Sequence, residues 1–187
     1  MTRRLLALIA PIALSCLAIA LPASASAAAP CANADLVPTT ANGPQVRAAT
    51  LCLINRERTK HGRRALRHDG QLRKVAQSYS RQMVRRGFFD HVSPDGSTLR
   101  SRITGSTTYL RRVAGWSLGE NLYWGSGERA TPAQSVKGWM NSPGHRRNML
   151  DPRFRDIGIG IAIGAPEDVG GTPAATYTTE FGTRAFR

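Results

Sequence analysis

The stretch DIGIGIAI, residues 156–163, decides the fold. Its period is two: Ile157, Ile159, Ile161 and Ile163 alternate with Gly158, Gly160, Ala162 and Gly164, which describes a β-strand with branched residues on one face and nearly bare backbone on the other. The bare face admits a neighbouring layer at close range. After a Gly/Pro-rich loop at 164–173, residues 175–181 read as a second strand and hairpin partner, and residues 118–124 as a third.

Upstream of these strands the period lengthens. Val46, Ala49, Leu53 and Ile54 recur at helical spacing until His61-Gly62 supplies a stop. Asp69 is placed to cap a second helix that carries Leu72, Val75, Ala76, Tyr79 and Met83 on one face and ends at Gly87. Thr131-Pro132-Ala133-Gln134 is a capping box with proline at the first helical position, opening a helix through Val136, Trp139 and Met140. Ser142-Pro143 then caps a shorter helical turn. Helices first and strands later predict an α+β domain in which helices pack on an antiparallel sheet. No internal repeat or second domain is visible.

The N-terminus follows a different logic. Thr2-Arg3-Arg4, an apolar run over 5–21 and a small-residue stretch over 22–27 form the order of a secretory signal peptide, with cleavage expected after Ala25 or Ala27. The run is short for a membrane span and contains Pro11 and Ser15, so no integral membrane segment is expected after cleavage, and the protein is expected to be secreted. Residues 28–43 read as an irregular tail and 44–187 as the domain. Loss of Cys16 with the leader leaves Cys31 and Cys52, which in an oxidising compartment are expected to pair. The formal charge of +14 becomes +12 when Arg3 and Arg4 leave. Such a chain attracts polyanions, which outside the cell are wall polymers, lipid head groups or acidic polysaccharides rather than nucleic acid. Set against this, 23 of the 26 basic residues are Arg and no long basic run exists, so solvated surface charge is the plainer reading.

Four histidines are available for chemistry. His61 and His68 flank the basic turn between the first two helices and read as solvated. His91, in FFDHVSPDG, follows an aromatic pair and precedes a turn-forming Ser-Pro-Asp-Gly. His145, in SPGHRRNML, lies at a helix start, where the positive end of the dipole disfavours imidazolium and leaves a lone pair free. Glu120, in GENL, lies in an apolar stretch where a buried carboxylate needs a partner. Two imidazoles and a carboxylate match the donor set of an open zinc site. Their separations of 29 and 25 residues fit no local metal motif, so only the fold can bring them together.

In order along the chain, FFDHVSPDG, GENL, WMNSPGHRRNML, DIGIGIAI and YTTEFG resemble the bacterial branch of the CAP superfamily, the cysteine-rich secretory, antigen and pathogenesis-related group with its SCP-like extracellular domain. The resemblance spans residues 46–183. It implies a three-layer α-β-α sandwich with a small, mainly antiparallel sheet between helices. It also implies a cleft where His91, Glu120 and His145 converge, the two histidines able to hold Zn2+ or another divalent cation. Where many eukaryotic members carry a second glutamate, three residues after the tryptophan, this chain has Ser142. A hydroxyl cannot replace a carboxylate as general base at neutral pH. Glu180, and behind it Asp90 and Asp95, are the carboxylates weighed in its place.

Two functions follow. One is a secreted, monomeric binding module for a cell-envelope polymer, lipid or protein ligand. The other is a metal-dependent hydrolase of peptides, esters or glycans, with the metal on His91 and His145 and Glu120 as base. A serine hydrolase built on Ser142 and His145 lacks both a nucleophile elbow and an orienting acid. Arg146 and Arg147 read as solvated charges, Asn148 as a backbone partner, and Trp139 as core.

Overall fold

In the computed structural model, which describes residues 30–186, helices and strands run in the order α1 (Gly43–Lys60), β1 (Arg67–His68), α2 (Gly70–Arg86), α3 (Leu99–Ser106), β2 (Gly115–Ser126), a 3-10 turn (Gly127–Ala130), α4 (Pro132–Asn141), α5 (Pro143–Leu150), β3 (Asp156–Ile163) and β4 (Ala174–Ala185). The expected signal peptide, 1–27, lies outside the described residues. Among those residues, no helix is long and apolar enough to cross a membrane.

The strands form one sheet in the order β1-β3-β4-β2. β4 pairs antiparallel with both β3 and β2, and only the two-residue β1 runs parallel to its neighbour. On one face, Ile157, Ile159, Ile161, Tyr177 and Phe181 pack with Val46 and Ile54 of α1 and Val136 and Trp139 of α4. The opposite face carries the bare side of DIGIGIAI. A Cβ added at Gly158 or Gly160 would lie within 3.0 Å of the backbone of Leu72 or Ala76, so α2 rests directly on β3. Around that contact, Leu72 and Val75 meet Ile103 and Tyr109, while Tyr79 and Met83 meet Leu122. The result is the α-β-α sandwich, with α2 and α3 on one side and α1 and α4 on the other.

Local signals account for most element ends. Asp69 Oδ1 accepts from the Gln71 and Leu72 amides, and Gly87 closes α2 in the left-handed region at φ 63°. Thr131 caps α4 through the Gln134 amide at 3.4 Å. Ser142 departs from its expected role, because its side chain makes no cap bond. A single residue separates α4 from α5, and its backbone serves both: the Ser142 amide donates to Trp139 O and its carbonyl accepts from the Arg146 amide. His68, expected to flank the turn after α1, lies just beyond it in β1 and is exposed.

Two side chains complete backbone pairing at a distance. Beyond β1 the outer edge of β3 would be open; Gln77 of α2 covers it at Ile161, donating to the carbonyl at 2.7 Å and accepting from the amide at 3.3 Å. Arg58, fully buried in α1, donates to the carbonyls of Arg64, Met149 and Asp151 and ties α1 to the end of α5. Cys31 and Cys52 form the expected disulfide, with Cα atoms 5.8 Å apart. Closing this loop stabilises the fold by roughly 3 kcal/mol in the chain-entropy picture and staples the N-terminal segment to α1.

Candidate functional site

β2 is an edge strand, and its alternation sends Glu120 to the α2/α3 side of the sheet and Asn121 to the other. Each anchors one histidine. Glu120, whose side chain is 4% exposed, accepts at Oε1 from His91 Nδ1 at 2.8 Å and at Oε2 from Arg102 Nη2 at 2.6 Å. Asn121 Nδ2 donates to the carbonyl of His145 at 3.0 Å. Asn148 Nδ2, one turn further along α5, donates to the Glu120 carbonyl and to Asn121 Oδ1. The GENL motif therefore places both histidine-bearing segments from two successive residues.

Arg102 is the partner that Glu120 required, and the sequence does not single it out. It lies on α3, its side chain 8% exposed, with the guanidinium carbon 3.4 Å from the centroid of the Tyr79 ring. Its Nη1 donates to the carbonyls of His91 and Ser97. Tyr79, whose hydroxyl burial pushes up to about 12, donates to the Asp90 carbonyl at 2.6 Å. The loop between α2 and α3 is thus held by two residues beneath it, and His91 projects from it with 54% of its side chain exposed.

The two imidazoles are poised differently. The hydrogen bond to Glu120 raises the pKa of His91 above the ordinary imidazole value, outweighing its partial burial. Burial lowers that of His145, and the charge of the nearby His91 lowers it further. His91 therefore has Nδ1 fixed by Glu120 on a half-exposed ring, while the ring of His145 makes no hydrogen bond among the described residues and favours its neutral form. Among the described residues, no group of three or more His, Cys, Asp or Glu is arranged to hold a metal ion. Glu120 stands behind His91 and does not complete a three-ligand shell with the histidines.

The remaining candidates separate. Glu180 lies directly across from Glu120 in the β2-β4 register but is fully buried, and neither carboxyl oxygen has a hydrogen-bond partner. Burial, then the charge of Glu120, raise its pKa well above the ordinary carboxylate value, which favours its neutral form inside the sheet layer. Asp90 accepts from the Val92 amide, and Asp95 is engaged by Ser93, Ser97 and Arg86 in the turn. Ser142 and His145 share no hydrogen bond. His61 is exposed and contacts Arg146, and Trp139 is buried with its indole donating to Leu122 O at 2.9 Å.

The model of the CAP, or cysteine-rich secretory protein, family matches residues 51–179. The uncharacterized protein YkwD of Bacillus subtilis is 37% identical over 134 residues, covering 69% of this chain and 49% of the relative. An extracellular protein containing an SCP domain from Bacillus anthracis superposes with a TM-score of 0.55 at 26% identity, over 77% of this chain and 44% of that one. An outer surface protein of Borrelia burgdorferi shares the fold with a TM-score of 0.55 at 22% identity, over 72% of this chain and 89% of that one. The chain thus spans about half the length of the two Bacillus proteins it matches.

Proposed function

The chain belongs to the CAP family of cysteine-rich secretory proteins, and from that kinship we propose that it is an extracellular binding module for a cell-envelope ligand, with a divalent cation held between His91 and His145. The observation that carries this reading is the 2.8 Å hydrogen bond from His91 Nδ1 to Glu120. A carboxylate that fixes one ring nitrogen and leaves the other bare is the outer support commonly found behind a metal-binding histidine. His145, kept neutral by burial, offers the second lone pair.

Zn2+ suits two imidazole donors, and with no third protein ligand among the described residues the remaining positions fall to water or to an oxygen of the bound partner. When bound, the cation supplies polarisation of such an oxygen. The chain's own residues divide the rest: Glu120 orients His91, Arg102 holds Glu120, and Asn121 and Asn148 fix α5. Extracellular placement draws support from the leader-like N-terminus and from the Bacillus anthracis protein, which is described as extracellular.

The hydrolase reading is weaker on a geometric point. Each Glu120 oxygen already accepts a hydrogen bond, so the carboxylate is committed to positioning, and buried Glu180 does not take its place. Calorimetric titration of the metal-free protein with Zn2+ tests the assignment. One site is expected, abolished by His91→Ala and by His145→Ala and weakened about 10- to 100-fold by Glu120→Gln. Binding that survives in both histidine variants overturns it.

A further inference from the structure

Away from the cleft, the outward face of α2 meets the N-terminal turn of α1 across two adjoining hollows of about 610 and 430 Å3. Arg81 and Arg85 line both, Arg47 the first, Arg73 and Lys74 the second. No Asp or Glu lines either hollow, and no residue of the His91/Glu120/His145 cleft does. None of these five cations forms an ion pair with a described residue.

Several independent features raise the positive potential here and leave it unopposed. The first turn of α1 contains no acid, and its N-cap Asn42 makes no cap bond, its side chain being turned back to Thr39 and Val37. Arg47 sits near that positive helix end, where a cation is disfavoured. Burial and the charge of Arg73 together lower its pKa. Along α2, Arg73, Gln77, Arg81 and Arg85 recur every four residues, about 6 Å per step, so the charge forms a stripe rather than a point. The floor of the larger hollow is apolar, made by Val84 and residues 161–163, and no aromatic side chain lines either part.

We propose that this groove binds a linear, base-free phosphodiester polymer, with successive phosphates on Arg47, Arg73, Arg81 and Arg85 and the carbon backbone of the polymer over Val84 and the exposed Ile163. Guanidinium forks match phosphate oxygens in pairs, which suits four arginines better than a set of lysines. The stripe demands repeated charge, which a single anion does not supply. Nucleobases would need aromatic faces to stack on, and the groove has none. The site needs no cation in the cleft, so it extends the binding-module reading without depending on the metal.

The test uses the whole protein with a chelator present throughout and, as probe, a fluorescent abasic phosphodiester oligomer, followed by anisotropy. Four neutralised phosphates predict binding roughly 50-fold weaker at 200 than at 50 mM salt, from a slope of about −0.7 per phosphate. Arg81→Glu/Arg85→Glu abolishes binding, Arg81→Gln/Arg85→Gln about halves the salt slope, and the equal charge change Arg63→Glu/Arg64→Glu leaves both unaffected. Equal weakening by the two charge-reversed pairs overturns the site. So does an oligothymidylate of matched phosphate number that binds more than about tenfold tighter, the mark of base stacking. Binding to phosphatidylglycerol vesicles that requires Arg81 and Arg85, without binding of the oligomer, also overturns it. Loss of zinc binding changes none of these outcomes.

Discussion

Replacing Arg102 with methionine keeps much of its apolar stem but removes the guanidinium together with its stacking on Tyr79, and Glu120 then stays buried with His91 as its remaining side-chain partner. Breaking one side of a buried ion pair typically destabilises by about 3–5 kcal/mol, because the surviving charge is left without compensation. The His91 carbonyl loses its donor as well, whereas the Ser97 carbonyl keeps the Ser93 amide, so the whole of that range applies to this variant. For a domain of this size each kcal/mol moves the melting temperature by about 2–4 °C, so a fall of about 6–20 °C is expected. Calorimetric melting and urea unfolding of Arg102→Met, Glu120→Gln and the double variant at neutral pH form the assay. Because both residues act in one contact, the double variant should be more stable than the summed single losses require, with a coupling above about 1 kcal/mol. A loss below about 1 kcal/mol in Arg102→Met, the scale of an exposed pair, would refute the reasoning, as would strict additivity.

Glu180 provides a pH test. Its folded pKa is raised well above the ordinary carboxylate value by burial, so the native state keeps its proton as pH climbs past the point where the unfolded chain releases it, and stability falls with rising pH there. Glu180→Gln should flatten that slope and melt higher than the parent at neutral pH; an unchanged pH profile would show that the acid does not titrate as its burial demands. Gly160→Ala should cost about 1–3 kcal/mol in urea unfolding, because the new methyl meets the α2 backbone at Ala76, which has no side-chain freedom with which to yield. An alanine tolerated without loss would mean that α2 does not rest on the strand as described.

The legible parts of the chain are those whose physics is local. Alternating Ile and Gly over 157–163 announces both a strand and the helix lying on its bare side, and Asp69, Gly87 and Thr131 mark helix ends because caps act within a few residues. α3 escapes such reading: Ile103 is its sole buried residue, and its Thr98–Ser101 capping box is built from two hydroxyls without the usual acid or amide. β1 is two residues long and exists through pairing with β3, 89 residues away. At the site, the need of Glu120 for a partner is readable from its apolar surroundings, but the identity of that partner is not. Arg102 is one arginine among 23, and nothing in its neighbours distinguishes it from the solvated majority. Ser142 shows the opposite error, in which a common cap residue sits at a helix start whose geometry leaves its hydroxyl without that task.

The division of labour between Glu120 and Asn121 has a mechanical corollary. Both ring-bearing segments are tied to adjacent positions on one strand, so a single length of extended backbone serves as their common reference, alongside the α2 and α3 contacts that hold the His91 loop. A kink introduced into β2 at this point would therefore disturb both tethers together, whereas a change confined to one helical layer reaches only one of them.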